Sequence, residues 1–264
     1  MIVFYRKGAN IIRPFITQRG KIMNKLLIIG DGDIHIEQSD IANFGIDAVE
    51  NLSLEEFRER QDFTNCIIMK GLIETSDFMR RILEINKSLG GGFISHCGVF
   101  KRNDFSPIII TDAALNIAPT VQDKREITSN AIALARRIGL SKFPTINFLT
   151  PSSKIDKKIK SSLDAEELEK FIADNFPGIK TTHNALDVCF SNSAKAKKID
   201  GALRPDILIC DNIDQANSLY KSMTIFGGFM VAGFIVGNEN LPPIVLTSRS
   251  DTKESKLWSV ELLG

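Results

Sequence analysis

What this chain lacks narrows its chemistry. It has four cysteines in 264 residues, and Cys66, Cys97, Cys189 and Cys210 are too scattered to form any Cys-x-x-Cys pair. That removes the usual zinc-ribbon and dithiol readings and leaves buried free thiols in a reducing compartment. The three histidines, His35, His96 and His183, form no His-Glu-x-x-His motif or clustered His/carboxylate set, so no metal is expected. No Gly-x-Ser-x-Gly elbow surrounds a serine, although counting alone leaves a histidine-assisted Ser248 open. No apolar run approaches the roughly 18 residues of a membrane span, so the expectation is a soluble, cytoplasmic protein. Charge of one sign is missing too. Lys plus Arg number 33 against 32 Asp plus Glu, which provides no global field to recruit nucleic acid or an anionic membrane.

What is there suits a globular α/β protein. The chain is 43% hydrophobic and 25% charged, with a length that favours two moderate domains over one. "KLLIIGDGD", "CIIMKG", "GGFISHCGVF", "SPIIITDAALNI" and "FPTINFLT" are short apolar runs that end in polar or small residues, the pattern of buried strands. Helical spacing lies between them. Phe78, Ile82 and Ile85 share one face, as do Ile127, Ala131, Leu134 and Ile138, with Gly139 placed to stop that helix. Asp164 and Glu167 resemble a capping box opening a helix that buries Leu168, Phe171, Ile172 and Phe176. Alternating strands and helices predict a largely parallel sheet.

Several features read as plain structure. The stretch before Asp31 carries six basic residues and no acidic one, and the expectation is that residues 1–22 are an upstream extension ahead of Met23. "KIDKKIK" (154–160) and "AKAKK" (194–198) read as solvated surface, and Gly90 to Gly92 as a turn. Gly30-x-Gly32, with Glu50 about 20 residues on, invites a dinucleotide-binding reading, but His35 occupies the third glycine position and weakens it. His96 follows an apolar run, where a hydrogen-bonded structural histidine is expected.

The chemistry gathers at strand ends and helix starts. "LPPIVLTSRSDTKESK" (241–256) passes from an apolar run straight into Thr247, Ser248, Arg249, Ser250 and Asp251. In open α/β sheets, ligands bind outside the carboxyl ends of strands. "MKGLIETSDF" (69–78), "TDAALNIAPT" (111–120) and "NSLYKSM" (217–223) offer Lys70, Thr75, Asp112, Asn116, Asn217 and Lys221. Singly, Thr75, Asp112 or Asn217 could each be a capped turn. Together with Arg249 and its flanking hydroxyls, Lys70 and Lys221 could neutralise phosphate.

These stretches, with "NAIALARRIGLSKFPTINFLTP", "DILI" and "AGFIVG", run in order over roughly residues 65 to 260 and resemble the phosphate acetyl/butyryltransferases, the butyryl branch most. The resemblance implies two three-layer α/β domains facing across a cleft, like isocitrate and isopropylmalate dehydrogenases. One comprises residues 1–115 plus 238–264 and the other residues 116–237. It further implies a homodimer without cofactor, interconverting acyl-CoA plus phosphate with acyl phosphate plus CoA, so that coenzyme A is a substrate. By the same likeness Ser248 supplies an oxyanion donor, Arg249 binds the phosphate and Asp251 is the base, while Lys70, Thr75, Asp112, Asn116, Asn217 and Lys221 bind substrate. Three departures stand out: "THNALD" (182–187) where the family has Gly-Pro-Leu-x-Leu-Asp, Ala216 for a glycine, and Asp211 for a proline. The strand–helix unit expected ahead of "LLIIGD" is also unrecognisable. The rival reading is a relative that binds CoA as a sensor or oligomerisation module without catalysis.

Overall fold

The computed structural model describes residues 24–30, 36–190, 195, 197, 199, 203–249 and 251–263. The expected extension and the Gly32 to His35 segment lie outside them. The elements are β1 (Lys25–Ile29), α1 (Gln38–Ile41), β2 (Ala48–Leu52), α2 (Leu54–Glu59), β3 (Cys66–Lys70), α3 (Thr75–Ser88), β4 (Ser95–Arg102), β5 (Phe105–Thr111), α4 (Val121–Arg137), β6 (Ile146–Leu149), α5 (Lys160–Asn175), β7 (Thr181–Asn184), α6 (Leu186–Phe190), β8 (Ile207–Ile209), α7 (Ile213–Lys221), β9 (Met230–Val236), β10 (Ile244–Val245) and α8 (Lys253–Glu261).

Ten strands form one sheet in the order β2-β1-β3-β10-β9-β4-β5-β8-β6-β7. Both flanks are parallel, but β9 runs antiparallel to β10 and β4, and β4 to β5. The expectation of a largely parallel sheet holds on both flanks, and the centre around β4 and β9 departs from it. The cause is local. The polar "RND" turn at 102–104 joins β4 to β5 as a hairpin, which leaves no length for a crossover helix.

Parallel strands are buried on both faces, which explains why their sequences are continuously apolar. Leu26, Ile28, Ile67 and Met69 enter one core cluster, while the alternating Leu27, Ile29, Cys66 and Ile68 enter another. Phe78, Ile82 and Ile85 of α3 are buried as their spacing predicts, and Gly139 stands at φ 69° just past α4. Gly30 also has a packing duty. At φ 99°, its missing Cβ would stand 2.1 Å from Ile73 Cγ2, a fit that needs no nucleotide. Glu50 pairs with Lys25 and Arg60 instead of waiting for a ribose.

The capping box expected at Asp164 is not one. Helix α5 begins at Lys160, and Asp164, inside it, accepts hydrogen bonds from Lys124 and Lys160. Lys124 is buried and also pairs with Asp211. A buried ammonium needs carboxylates around it, and that demand outweighs a cap.

Candidate functional site

Two loops at the carboxyl ends of strands frame a cavity of about 250 Å³. Its wall includes Thr75 at the start of α3, His96 on β4, Ala113 and Ala114 after β5, and Leu246, Thr247 and Ser248 after β10. Helix α7 supplies Ile213, Asn217, Tyr220 and Lys221. Those four positions, i, i+4, i+7 and i+8, share one helix face.

The loop after β10 is built around Asp251. That buried carboxylate accepts from the Ser248 N–H at 2.6 Å and from the Tyr220 hydroxyl at 3.0 Å. The Asp251 N–H returns to the Ser248 carbonyl, closing a tight turn, and Thr252 then caps α8. Burial pushes the Asp251 carboxyl up from its ordinary range, against the opposing pull of those hydrogen bonds and of Lys221 and Lys256. Burial likewise drives the Tyr220 phenol upward, so it stays protonated and donating.

Lys221 Nζ donates to Ser248 Oγ at 2.8 Å. A hydroxyl that accepts from an ammonium is polarised towards donating its own proton. Arg249, next in the chain, is half exposed and pairs with Glu74 at 2.6 Å. Lys70 is buried, with Nζ 3.2 Å from the Gly71 carbonyl. Its pKa is pushed down to about 8 by burial and then by Arg249 and Lys256. Lys256, also buried, is lowered chiefly by burial.

Of the residues expected from sequence, Ser248, Lys221, Thr75 and Asn217 share the cavity wall, with Arg249 and Asp251 in the same loop as Ser248. Asn217 Nδ2 donates to the Ala113 carbonyl. Asp112 and Asn116 face inward. Asp112 accepts from the N–H groups of His96, Ala114, Leu115 and Asn116 and from Asn116 Nδ2. Tyr220 and Lys256 carry no signal in the sequence pattern taken alone, although the helical spacing from Ile213 points to Tyr220; Thr247, expected at the strand end, lines the cavity.

The family described as Phosphate acetyl/butaryl transferase matches residues 65–262. The chain belongs to that family. It is 34% identical over 203 residues to a probable phosphate butyryltransferase of Bacillus subtilis, covering 74% of this chain and 67% of that one. The branched-chain phosphotransacylase of Enterococcus faecalis superposes with a TM-score of 0.67 at 27% identity, over 90% of this chain and 86% of the other. A 4-hydroxythreonine-4-phosphate dehydrogenase of Salmonella typhimurium, at 9% identity and a TM-score of 0.51 over 92% and 84%, shares the fold alone. That likeness agrees with the dehydrogenase-like architecture expected from sequence.

The departures from the family pattern fall outside the cavity. Leu186 and Asp187 of "THNALD" line a separate apolar cavity of about 340 Å³, against Leu219 of α7 and Met223 in the π-helical turn that follows it. Ala216 is fully buried in α7, and Asp211 neutralises Lys124.

Proposed function

We propose that this chain is an active phosphate acyltransferase, interconverting short-chain acyl-CoA plus phosphate with acyl phosphate plus CoA. The observation that carries the reading is the contact of Lys221 with Ser248 at the rim of a cavity large enough for a short acyl group, with Arg249 next in the chain. Attack of a thiolate on the acyl phosphate carbonyl builds an oxyanion, for which a donor already aimed at it lowers the barrier. Ser248, polarised by Lys221, has that role. Arg249 offers a planar fork to the phosphate oxygens, exchanging its exposed partner Glu74 for substrate. Lys70 adds positive charge from below. Thr75 and Asn217 contact substrate, Asp112 and Asn116 hold the platform beneath it, and Asp251 shapes the Ser248 turn.

Coenzyme A is a substrate in this scheme, and no cofactor is needed. The division into residues 1–115 plus 238–264 and residues 116–237 belongs to the same proposal. It is supported by β2-β1-β3-β10 lying at one end of the sheet and β8-β6-β7 at the other. So does a homodimer, for which the exposed Ile225 and Phe226 offer apolar surface. A cytoplasmic setting fits four buried free cysteines, and no helix among the described residues is long and apolar enough to cross a membrane.

The test is thioester formation from acetyl, butyryl and isobutyryl phosphate with CoA. Turnover of at least one supports the reading. A well-folded chain that makes no thioester from any of them would sink it.

A further inference from the structure

His96 is buried on β4, and among the described residues only one of its ring nitrogens has a partner. Nε2 lies 3.3 Å from the Leu246 carbonyl oxygen, in a gap kept open by Gly233, whose added Cβ would stand 2.0 Å from that oxygen. A carbonyl can only accept, so Nε2 carries the hydrogen and Nδ1 keeps a lone pair. Nδ1 is shielded from solvent and has no hydrogen-bond partner among the described residues. The same is true of Thr247 Oγ1. Both residues line the cavity that holds Ser248 and Lys221. Two orphaned polar atoms in one wall call for a ligand that completes them.

The obvious competitor for a base is Asp251, but its Oδ2 accepts from Tyr220 and from the Ser248 N–H, which turns it to shaping the loop, and it does not line the cavity as His96 does. The titratable groups facing the imidazole are Asp112 beyond β5, Tyr220 and Lys221 on α7, and Asp251 in the loop. Strand β9 and the residue after β10 bring Gly233, Ile235 and the Leu246 main chain against it, with no titratable group among the described residues there. Burial dominates and holds His96 below its ordinary pKa, with Asp112, the Leu246 carbonyl and Asp251 opposing it. The ring is therefore neutral, with its lone pair available, at neutral pH.

We propose that His96 Nδ1 accepts the thiol proton of coenzyme A as the sulfur attacks the acyl phosphate carbonyl, a step that rests on the acyl-transfer reading above. The S–H bond breaks with its electron pair left on sulfur, and the proton moves to Nδ1, giving an imidazolium with both nitrogens protonated. The C–S bond forms as the carbonyl pair moves onto oxygen beside Ser248. That pair returns as the C–O bond to phosphorus breaks, its electrons leaving with phosphate. The proton passes from Nδ1 to the departing phosphate, which restores the neutral ring.

Two measurements on the full chain decide the matter. His96→Gln keeps an amide N–H for Leu246 but offers no basic nitrogen. We expect kcat for thioester formation to fall about 10²–10⁴-fold, with KM for CoA nearly unchanged. The wild-type acid limb, set by His96 protonation, should vanish, and the residual rate should climb with pH as solution thiolate takes over. A variant with wild-type turnover overturns the proposal, as does one that is slower with an unaltered pH profile, the mark of a structural role. The second measurement needs neither turnover nor a variant. With ¹⁵N-histidine, the His96 Nδ1 resonance should be that of an unprotonated nitrogen, and it should move on adding CoA but not on adding desulfo-CoA, which lacks the thiol. No shift, or the same shift with both, means a structural nitrogen or a trapped water and overturns the proposal. If the wild type makes no thioester but shows the CoA-specific shift, the acyl-transfer reading fails while Nδ1 stands as the thiol's acceptor.

Discussion

Two strand-end aspartates in this fold make opposite use of the same carboxylate. Asp112, after β5, accepts from five donors, four of them backbone N–H groups of residues 96 and 114–116. Among the described residues, Asp251, after β10, accepts from one backbone N–H and one phenol, and burial pushes its pKa up. The number of donors separates a staple from a group poised beside chemistry. A carboxylate wrapped in N–H groups holds a loop still, whereas one with few partners leaves the loop it shapes able to meet a ligand.

If that contrast is right, the first loop should respond in stability and the second in turnover. Asp112→Ala strands several buried N–H groups, each worth about 1–3 kcal/mol, and should cost roughly 3–5 kcal/mol in urea unfolding. A loss under 1 kcal/mol would show that the loop relaxes to water and that Asp112 is no staple. Ser248→Ala should do the reverse, lowering kcat about 10²–10³-fold with the unfolding midpoint and CoA affinity nearly unchanged, because an oxyanion donor acts mainly in the transition state. A Ser248→Ala protein that turns over normally would remove the hydroxyl from the chemistry. Arg249→Lys keeps the charge and loses the fork, so we expect turnover to drop roughly tenfold, the equivalent of about 1.4 kcal/mol, with KM for phosphate raised and folding intact. Unimpaired turnover there would place Arg249 at the rim only.

The sequence made the interior strands legible because each is a continuous apolar run. It hid β2 and β7, the two edge strands, whose "AVENL" and "TTHN" carry no such run. Ser248, Arg249 and Lys221 were readable as residue types suited to phosphate and acyl chemistry. Asp112 was legible as a local turn, since its donors at Ala114, Leu115 and Asn116 lie two to four residues on; the His96 N–H, from β4, joins it only through folding. Asp164 misled for a related reason: its spacing to Glu167 fits a cap, but the buried Lys124 that claims it lies 40 residues away. The sequence around His96 points to a structural histidine, and its Nε2 is one; the idle Nδ1 depends on a neighbour 150 residues distant.

The smallest expected effect sharpens the comparison at Asp251 itself. A carboxyl whose folded pKa is raised binds protons more tightly in the folded chain than in the unfolded one. Its contribution to stability is therefore fully present below the unfolded value of about 3.9 and is lost as pH rises through the folded pKa. Asp251→Asn removes that titration while keeping a carbonyl oxygen for Tyr220 and the Ser248 N–H. Taking the difference between wild type and variant cancels every other carboxylate in the chain. The wild type should thus gain on Asp251→Asn, by a few degrees of melting temperature at most, as the pH is lowered from 7 to 4. A difference that shrinks towards pH 4 would mean that the hydrogen bonds from Ser248 and Tyr220 outweigh burial. Asp251 would then be a second staple like Asp112, and the contrast between the two loops would have to rest on Ser248 and Arg249 alone.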